Sequence, residues 1–352
     1  FTGMIVAFFI IINQLPNDIT FTKALDIAGA SGKMDVLNFS FDLNNRYTVW
    51  SGLIGGTFLM LSYFGTDQSQ VQRYLSGKSV KEMQLGLLFN GLLKVPMQFF
   101  ILLVGVMVFV FYQFNESPIN FNPTATEVVL NSEFSQDYQT LQNQQNELFA
   151  EKQQAIFNYV NTENSVTAKT ISEYNSKSDL LRSEAQKLIE KAGEAKNLKV
   201  ESNDKDYVFI HFILNNLPKG LIGLLLAVIL SAAMSSTASE LNALASTTTI
   251  DLYKQRIGEK SEDDMVKASK GFTLLWGILA IGVACVANLA EKLIQLVNII
   301  GSIFYGNVLG IFLLAFFFKF IKANAVFIAA LITQVLVIGL FFLNQFEIIN
   351  LP

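Results

Sequence analysis

The chain has 352 residues, of which 51% are apolar and 15% are charged, and its mean hydropathy is +0.40. Soluble domains usually have close to a quarter of their residues charged, so this composition is typical of a membrane protein. The net charge of −4 provides no basic surface for nucleic acid, and a single cysteine, Cys285, excludes a disulfide framework and a thiolate metal site.

Seven charge-poor apolar runs follow one another along the chain, and we predict a membrane-spanning helix in each. A span needs about 20 mostly apolar residues, because lipid cannot satisfy the polar groups of the backbone. The predicted spans are residues 1–17, 49–66, 95–114, 220–250, 271–290, 293–318 and 323–346. Since the sequence begins inside an apolar run and without a methionine, we expect a fragment of a longer protein.

Lysine and arginine predict the orientation of these spans. The loops after spans two, four and six are rich in lysine and arginine, whereas the alternate short loops contain few of them. Positively charged short loops stay in the cytoplasm. We therefore predict a multi-pass protein of the cell (inner) membrane in which residues 115–218 are extracytoplasmic, between membrane helices in 1–114 and in 219–352.

The block 115–218 is polar, with 15 acidic and 9 basic residues between positions 115 and 206. Apolar residues at three-and-four spacing predict two helices in it. They are Phe134, Tyr138, Leu141 and Leu148 in the first helix, and Tyr174, Leu181, Ala185, Leu188, Ala192 and Ala195 in the second. We interpret the block as a helical hairpin that packs against itself, followed by an interfacial amphipathic turn around His211.

The fourth span contains an unusual number of hydroxyl groups, in the stretch SAAMSSTAS over residues 231–239. Helical spacing places Ala232, Ser235, Ser236 and Ser239 on one polar stripe. Hydroxyl and carbonyl oxygens near the middle of the bilayer are the groups with which secondary transporters bind sodium. The alternative is that these small residues let neighbouring helices approach closely.

Two further features are candidates for contact with a transported solute. The second span ends in LSYFGTDQ, where Gly65 permits a break of the kind that lines transporter cavities, although it could equally cap the helix. Lys94 lies close to the start of the third span. Its charge either has a function inside the membrane or reaches back to the cytoplasmic surface.

Two segments resemble the sodium/solute symporter family, and their order along the chain and their sides of the predicted membrane agree with that family. Residues 231–253, SAAMSSTASELNALASTTTIDLY, resemble its sodium-site helix, and residues 61–79, LSYFGTDQSQVQRYLSGKS, resemble its broken helix and the cytoplasmic loop that follows. The resemblance implies an all-α core of two inverted five-helix repeats. The fragment would contain the end of the first repeat and all of the second, interrupted by the hairpin insert, and the first core helix would lie upstream.

The resemblance also implies roles for individual residues. Sodium would be bound by the Ser235 and Ser236 hydroxyls and the Ala232 carbonyl, together with oxygens of that first core helix, and Ser239 matches a position that some members use for a second sodium. Three residues are carried over to the solute path. They are Tyr63 as the aromatic inner gate, Lys94 as a sugar-contacting lysine, and Asn298 near a glutamine that contacts sugar.

The implied function is sodium-coupled import of a small polar solute by alternating access, and not enzymatic catalysis. A sugar, polyol or sialic-acid-like solute is favoured, although amino-acid and monocarboxylate carriers share the scaffold. The expected partners are sodium as the coupling ion, the solute and the lipid bilayer, with no cofactor, nucleic acid or obligate protein partner. The alternative is a symporter-like membrane sensor domain of a signalling protein.

Overall fold

The computed structural model describes residues 2–35, 37–42, 45, 48–162, 165–258, 261–287 and 293–346, with the backbone alone for 165, 166, 286, 287, 293–299 and 345. All regular structure in these ranges is helical. The chain divides into two compact units, the first made of residues 1–36 and 92–229 and the second of residues 37–91 and 230–352. The long helices α5 and α10 each contribute residues to both units.

The helices follow the chain in this order. The first nine are α1 (Thr2–Gln14), α2 (Phe21–Ala30), α3 (Val49–Thr66), α4 (Gln68–Leu75), α5 (Val80–Phe114), α6 (Pro123–Leu130), α7 (Ser135–Thr162), α8 (Ser165–Ala195) and α9 (Tyr207–Asn216). They are followed by α10 (Lys219–Thr247), a π-helical turn (Thr248–Tyr253), α11 (Lys254–Ile257), α12 (Glu262–Ala287), α13 (Leu293–Phe317) and α14 (Ala323–Gln345).

Within the described part of the chain, five helical segments are long and apolar enough to cross a membrane. They are Val80–Phe114, Lys219–Ile257, Glu262–Cys285, Ile300–Phe317 and Ala323–Asn344. Thr2–Gln14 is a shorter apolar helix, and α3 has the bounds predicted for the second span, with four glycines diluting its apolar side chains. The predicted class, an all-α polytopic membrane protein, is confirmed.

In the first unit, the hairpin α7–α8 shares a hydrophobic core with the apolar helices. Ile156, Val160 and Ile171 of the hairpin are buried in the same cluster as Ile27 of α2 and Met107 of α5. The hairpin therefore packs against α2 and α5 as well as against itself, which differs from the self-contained insert that we expected. The sequence pattern showed which face of each helix was apolar but not what that face would contact.

The hairpin also has a second cluster of its own, at the opposite end of α8. Tyr138, Ala185 and Ala192 are buried there, as the three-and-four spacing predicts, together with Ile189. A further helix of the insert, the short α6, packs against both α7 and α8 and was not predicted. Gly193 lies in the last turn of α8, and a Cβ at this position would be 2.9 Å from the Leu198 carbonyl oxygen.

A buried carboxylate ties the start of the insert to its end. Asp204 is 1% exposed, and its Oδ2 accepts a hydrogen bond from the Phe121 backbone N–H at 2.7 Å and one from Arg182 at 2.5 Å. The Arg182 guanidinium also lies over the Phe121 ring, 5.1 Å from its centroid. Next to this pair, His211 of α9 is 2.9 Å from the Tyr112 hydroxyl of α5 through its Nδ1. These contacts attach α9 and both ends of the insert to the C-terminal part of α5.

In the second unit, α13 packs along α3 on one side and α14 on another. The start of α3 is fixed by a capping box, in which Thr48 and Ser51 each accept the backbone N–H of the other. The π-helical turn packs against α12, where Trp276 Nε1 donates to Thr248 Oγ1 at 2.9 Å. These contacts set the positions of α3 and α10, the two helices that contain most of the predicted site residues.

Candidate functional site

The helix break after the second predicted span lies at Asp67, two residues beyond the glycine that was expected to permit it. Gly65 is inside α3, whereas Asp67 ends α3 with an extended backbone (φ −74°, ψ 115°). The Asp67 carboxylate then caps α4, accepting from the Ser69 N–H at 2.9 Å and from the Ser69 hydroxyl at 2.7 Å. An aspartate at an N-cap satisfies donors that the first helical turn leaves free. The break is therefore produced by a capping side chain and not by glycine flexibility.

A tyrosine closes the elbow between α3 and α4. The Tyr74 hydroxyl donates a short hydrogen bond to the carbonyl oxygen of Phe64. Burial raises the pKa of Tyr74, and the Asp67 carboxylate adds to the increase. The phenol is consequently protonated throughout the physiological range and remains a donor to the last turn of α3.

Tyr63, the predicted gate, lies on α3 one turn before this elbow. It is half-buried, and its ring meets the ring of Phe64 edge-on at 5.2 Å between centroids. Asp67, Arg73 and Glu240 are close enough to act on it electrostatically. The predicted gate is thus within electrostatic reach of charged groups from the α3–α4 break, from α4 and from α10.

The serine stripe lies on an unbroken α-helix. Ala232, Ser235 and Ser236 are exposed within α10. Among the residues that the structure describes, the Ser235 and Ser236 hydroxyls have no hydrogen-bond partner, whereas the Thr237 hydroxyl donates to the carbonyl oxygen of Ala233 at 2.9 Å. The paired serines therefore present free hydroxyl oxygens on the surface of the helix, and the neighbouring threonine does not.

Ser239 differs from the other members of the stripe because a cation already contacts it. Arg73 Nε of α4 donates to Ser239 Oγ at 3.1 Å. Glu240 follows directly, and a charge inside a predicted span indicates function by default. Arg73 and Glu240 were not among the predicted site residues, although Arg73 belongs to the family-like segment 61–79 and Glu240 is the only charged residue between Lys219 and Asp251 in the sequence.

The α-helical geometry of α10 changes to a π-helical turn at Thr248–Tyr253, which contains the Asp-Leu-Tyr end of the family-like segment. A π-helical turn inside an α-helix is rare and occurs frequently at functional sites. Tyr253 packs edge-on against Phe272 of α12, with 5.7 Å between ring centroids. Sequence patterns identified this helix but not the change in its winding.

The remaining two solute candidates are Lys94 and Asn298. Lys94 is exposed and lies well inside α5, which begins at Val80, so it belongs to the middle of a long helix and not to its first turn. Lys94 is part of the first unit, whereas Tyr63 and the serine stripe are part of the second. Asn298 lies on α13, but its side chain is outside the described residues.

Several membrane-spanning helices, a capped helix break and free hydroxyls within a long apolar helix define a polytopic protein with the features of a secondary transporter. Comparison with known proteins agrees. The model of the sodium:solute symporter family matches residues 185–333.

Curated relatives extend the match over most of the chain. The sodium-coupled monocarboxylate transporter 1 of Mus musculus is 27% identical over 304 residues, which are 86% of this chain and 37% of its own length. The sodium/iodide cotransporter of Homo sapiens is 24% identical over 298 residues, covering 84% of this chain and 34% of its own length. The sodium-dependent multivitamin transporter of Oryctolagus cuniculus is 25% identical over 300 residues, covering 84% of this chain and 34% of its own length.

The predicted resemblance to the sodium/solute symporter family is therefore confirmed, and the named relatives are sodium-coupled transporters and not enzymes. The chain spans a little more than a third of the length of the relatives it matches, such as 37% of the mouse monocarboxylate transporter. Sodium, as the coupling ion, fits this family.

Proposed function

We propose that the full-length protein is a secondary active symporter that couples inward movement of sodium to uptake of a small solute by alternating access. The observation that carries this proposal is the similarity to sodium-coupled transporters over 84–86% of the chain, which includes both the α3–α4 elbow and the serine stripe. We place the protein in the cell (inner) membrane with residues 115–218 on the extracytoplasmic side, as the distribution of lysine and arginine predicts.

The sodium site that we propose uses the hydroxyl oxygens of Ser235 and Ser236 and the carbonyl oxygen of Ala232. Sodium is a small hard cation, and neutral oxygens of this kind suit it. The two serine hydroxyls are free to bind an ion because, within the described structure, neither is used in a hydrogen bond to the helix backbone. Further oxygens are expected from a helix of the full-length protein.

Ser239 is proposed as a ligand of a second sodium ion. Its hydroxyl now accepts from Arg73 at 3.1 Å. Sodium and the guanidinium group are both cations, so this oxygen can serve only one of them at a time. We propose that Arg73 leaves Ser239 when the second ion binds, which would couple occupation of the site to movement of α4.

The solute remains the open part of the proposal. A sugar, polyol or sialic-acid-like solute was predicted from Tyr63, Lys94 and Asn298, and the names of the relatives give no support to it. Two of the relatives carry monocarboxylates and iodide, which are small anions. We propose that a small anion be tested first, with Tyr63 closing the inner path whichever solute is carried.

The test is uptake by the full-length protein in proteoliposomes, with monocarboxylates, iodide, vitamins and sugars offered in turn, each with sodium or with choline. We expect one class to accumulate only with sodium. Ser236→Ala should lower the apparent sodium affinity by at least about tenfold, since a hydrogen-bonding or ligating group is worth about 1.4 kcal/mol or more.

Thr237→Ala is the matched control, because it removes a neighbouring hydroxyl whose one hydrogen bond, among the described residues, is to its own helix. Its sodium affinity should stay within about twofold of the wild-type value. Uptake that does not depend on sodium would contradict the proposed function. Equal sodium affinity in the wild type and in Ser236→Ala would contradict only the site.

A further inference from the structure

Ser62 is a buried polar side chain on α3, and it is the only described residue of that helix that is fully enclosed. It is 1% exposed. Its Oγ donates to the backbone carbonyl oxygen of Tyr305 in α13 at 3.0 Å, which joins residues 243 positions apart. A hydroxyl in an apolar helix interface forms such a bond because no water is present to take its place.

A second hydroxyl supports this bond from one turn further along α3. Thr66 Oγ1 donates to the carbonyl oxygen of Ser62 at 2.8 Å and lies 3.4 Å from Ser62 Oγ. The three polar groups form a continuous row from the end of α3 to the backbone of α13. Because α3 and α13 pack along each other, this row fixes their relative rotation at one level.

Ser62 lies next to the predicted gate, so its bond to α13 bears on how the gate can move. Ser62 directly precedes Tyr63, the predicted gate, and α13 is the helix that contains Asn298 seven residues before Tyr305. A rotation or slide of α3 along α13 that moves the gate must break the Ser62 bond, whereas a joint movement of both helices keeps it.

We propose that Ser62 is a positioning residue, whose bond to the Tyr305 carbonyl makes the inner half of α3 and α13 move as one body during transport. It holds Tyr63 in register with the solute path without touching the solute itself. This inference rests on the proposed symport function, since it assigns Ser62 a part in the movement of the gate.

The first test measures sodium-driven uptake by the full-length protein. Ser62→Ala removes the donor and should lower the maximal rate about three- to tenfold while leaving the half-saturating sodium concentration within about twofold, as expected for one interhelical hydrogen bond. Ser62→Thr keeps the donor and should recover at least about half of the rate. Thr57→Ala, which removes a hydroxyl bonded only to its own helix, should transport like the wild type.

The second test measures the distance between α3 and α13 and does not depend on transport. Spin labels on Met60→Cys and Phe304→Cys, in a Cys285→Ser background, report the distance between exposed positions of α3 and α13. We expect one distance, unchanged by sodium, in the labelled protein with Ser62 intact and in its Ser62→Thr variant. In Ser62→Ala the distribution should broaden.

The outcomes separate the two proposals. Wild-type uptake and a single distance in Ser62→Ala would overturn the role of Ser62. If the wild-type full-length protein shows no sodium-driven uptake with any solute, the proposed function fails. The spin-label distances still decide whether Ser62 joins the two helices. If Ser62→Ala does not fold, a slow rate or a broadened distance in Ser62→Thr would overturn the inference.

Discussion

At the scale of the residue, Lys152 is the clearest case in which burial changes chemistry outside the membrane-spanning segments. Burial lowers the pKa of this α7 side chain to about 8, from the usual value of 10.5; the Asp179 carboxylate opposes the shift and Lys33 adds to it. Between these two pH values the unfolded chain holds a proton that the folded chain has released. Stability must therefore rise with pH across this window.

We predict that the melting temperature of the full-length protein in detergent rises between pH 7.5 and about pH 9.5, with a gain in the free energy of unfolding of about 1 to 3 kcal/mol. Lys152→Met should abolish the rise and melt higher than the wild type at pH 7.5. Lys187→Met, an exposed lysine on α8, is the control and should keep the wild-type slope. The same slope in Lys152→Met would contradict the assignment.

Neither this lysine nor Ser62 was selected from the sequence, and the reason is the same for both. The environment of each residue is set by other parts of the chain, namely the packing that buries Lys152 and the Tyr305 backbone that accepts from Ser62. Ser235 and Ser236 could be selected from the sequence because their signal is local, in the spacing of hydroxyls along one helix. A candidate residue can therefore be selected from the sequence where the pattern lies within one helix.

At the scale of the element, both ends of α3 and the last residue of α5 were predicted, whereas the start of α5 and the internal geometry of α10 were not. The second span was predicted at 49–66 and observed at Val49–Thr66, because polar and charged residues follow it directly. The helix break was predicted at Gly65 and lies two residues later at Asp67, because a capping carboxylate can end a helix as well as a glycine can. The π-helical turn leaves no periodic signal, because it changes the winding over only six residues.

The hairpin leads to an element-scale prediction. Ile171 of α8 is fully buried in the core that α7 and α8 share with α2 and α5, whereas Leu180 on the same helix is 66% exposed. We expect Ile171→Ala to cost about 2–4 kcal/mol, the usual range for emptying a packed aliphatic site. Hydrogen exchange should become faster in α2 and at the α7–α8 tip.

Leu180→Ala is the matched control for this substitution and should leave the exchange pattern unchanged. If Ile171→Ala accelerates exchange only within α7 and α8, the hairpin is an independent insert and its contact with α2 does not contribute to stability. Acceleration in α2 would show that the hairpin stabilises α2 in the unit to which both belong.

At the scale of the whole molecule, the charge carried in each transport cycle can be predicted from the number of sodium ions bound. Moving one elementary charge through 100 mV is worth about 2.3 kcal/mol, or about fiftyfold accumulation. A neutral solute with one sodium carries one net charge, and a monovalent anion needs two sodium ions to do the same. If the solute is an anion like those carried by the relatives, the second sodium ion that we propose at Ser239 would determine whether transport responds to voltage.

We predict that sodium-driven uptake of an anionic solute in proteoliposomes is stimulated by an inside-negative potential, set by potassium and valinomycin, toward the fiftyfold limit at 100 mV. Ser239→Ala removes the oxygen that Arg73 now contacts and should reduce the voltage response while sodium dependence persists through Ser235 and Ser236. Thr237→Ala should keep the full response. An unchanged voltage response in Ser239→Ala would exclude a second ion at this serine, because loss of one of two sodium ions makes the cycle of a monovalent anion electroneutral.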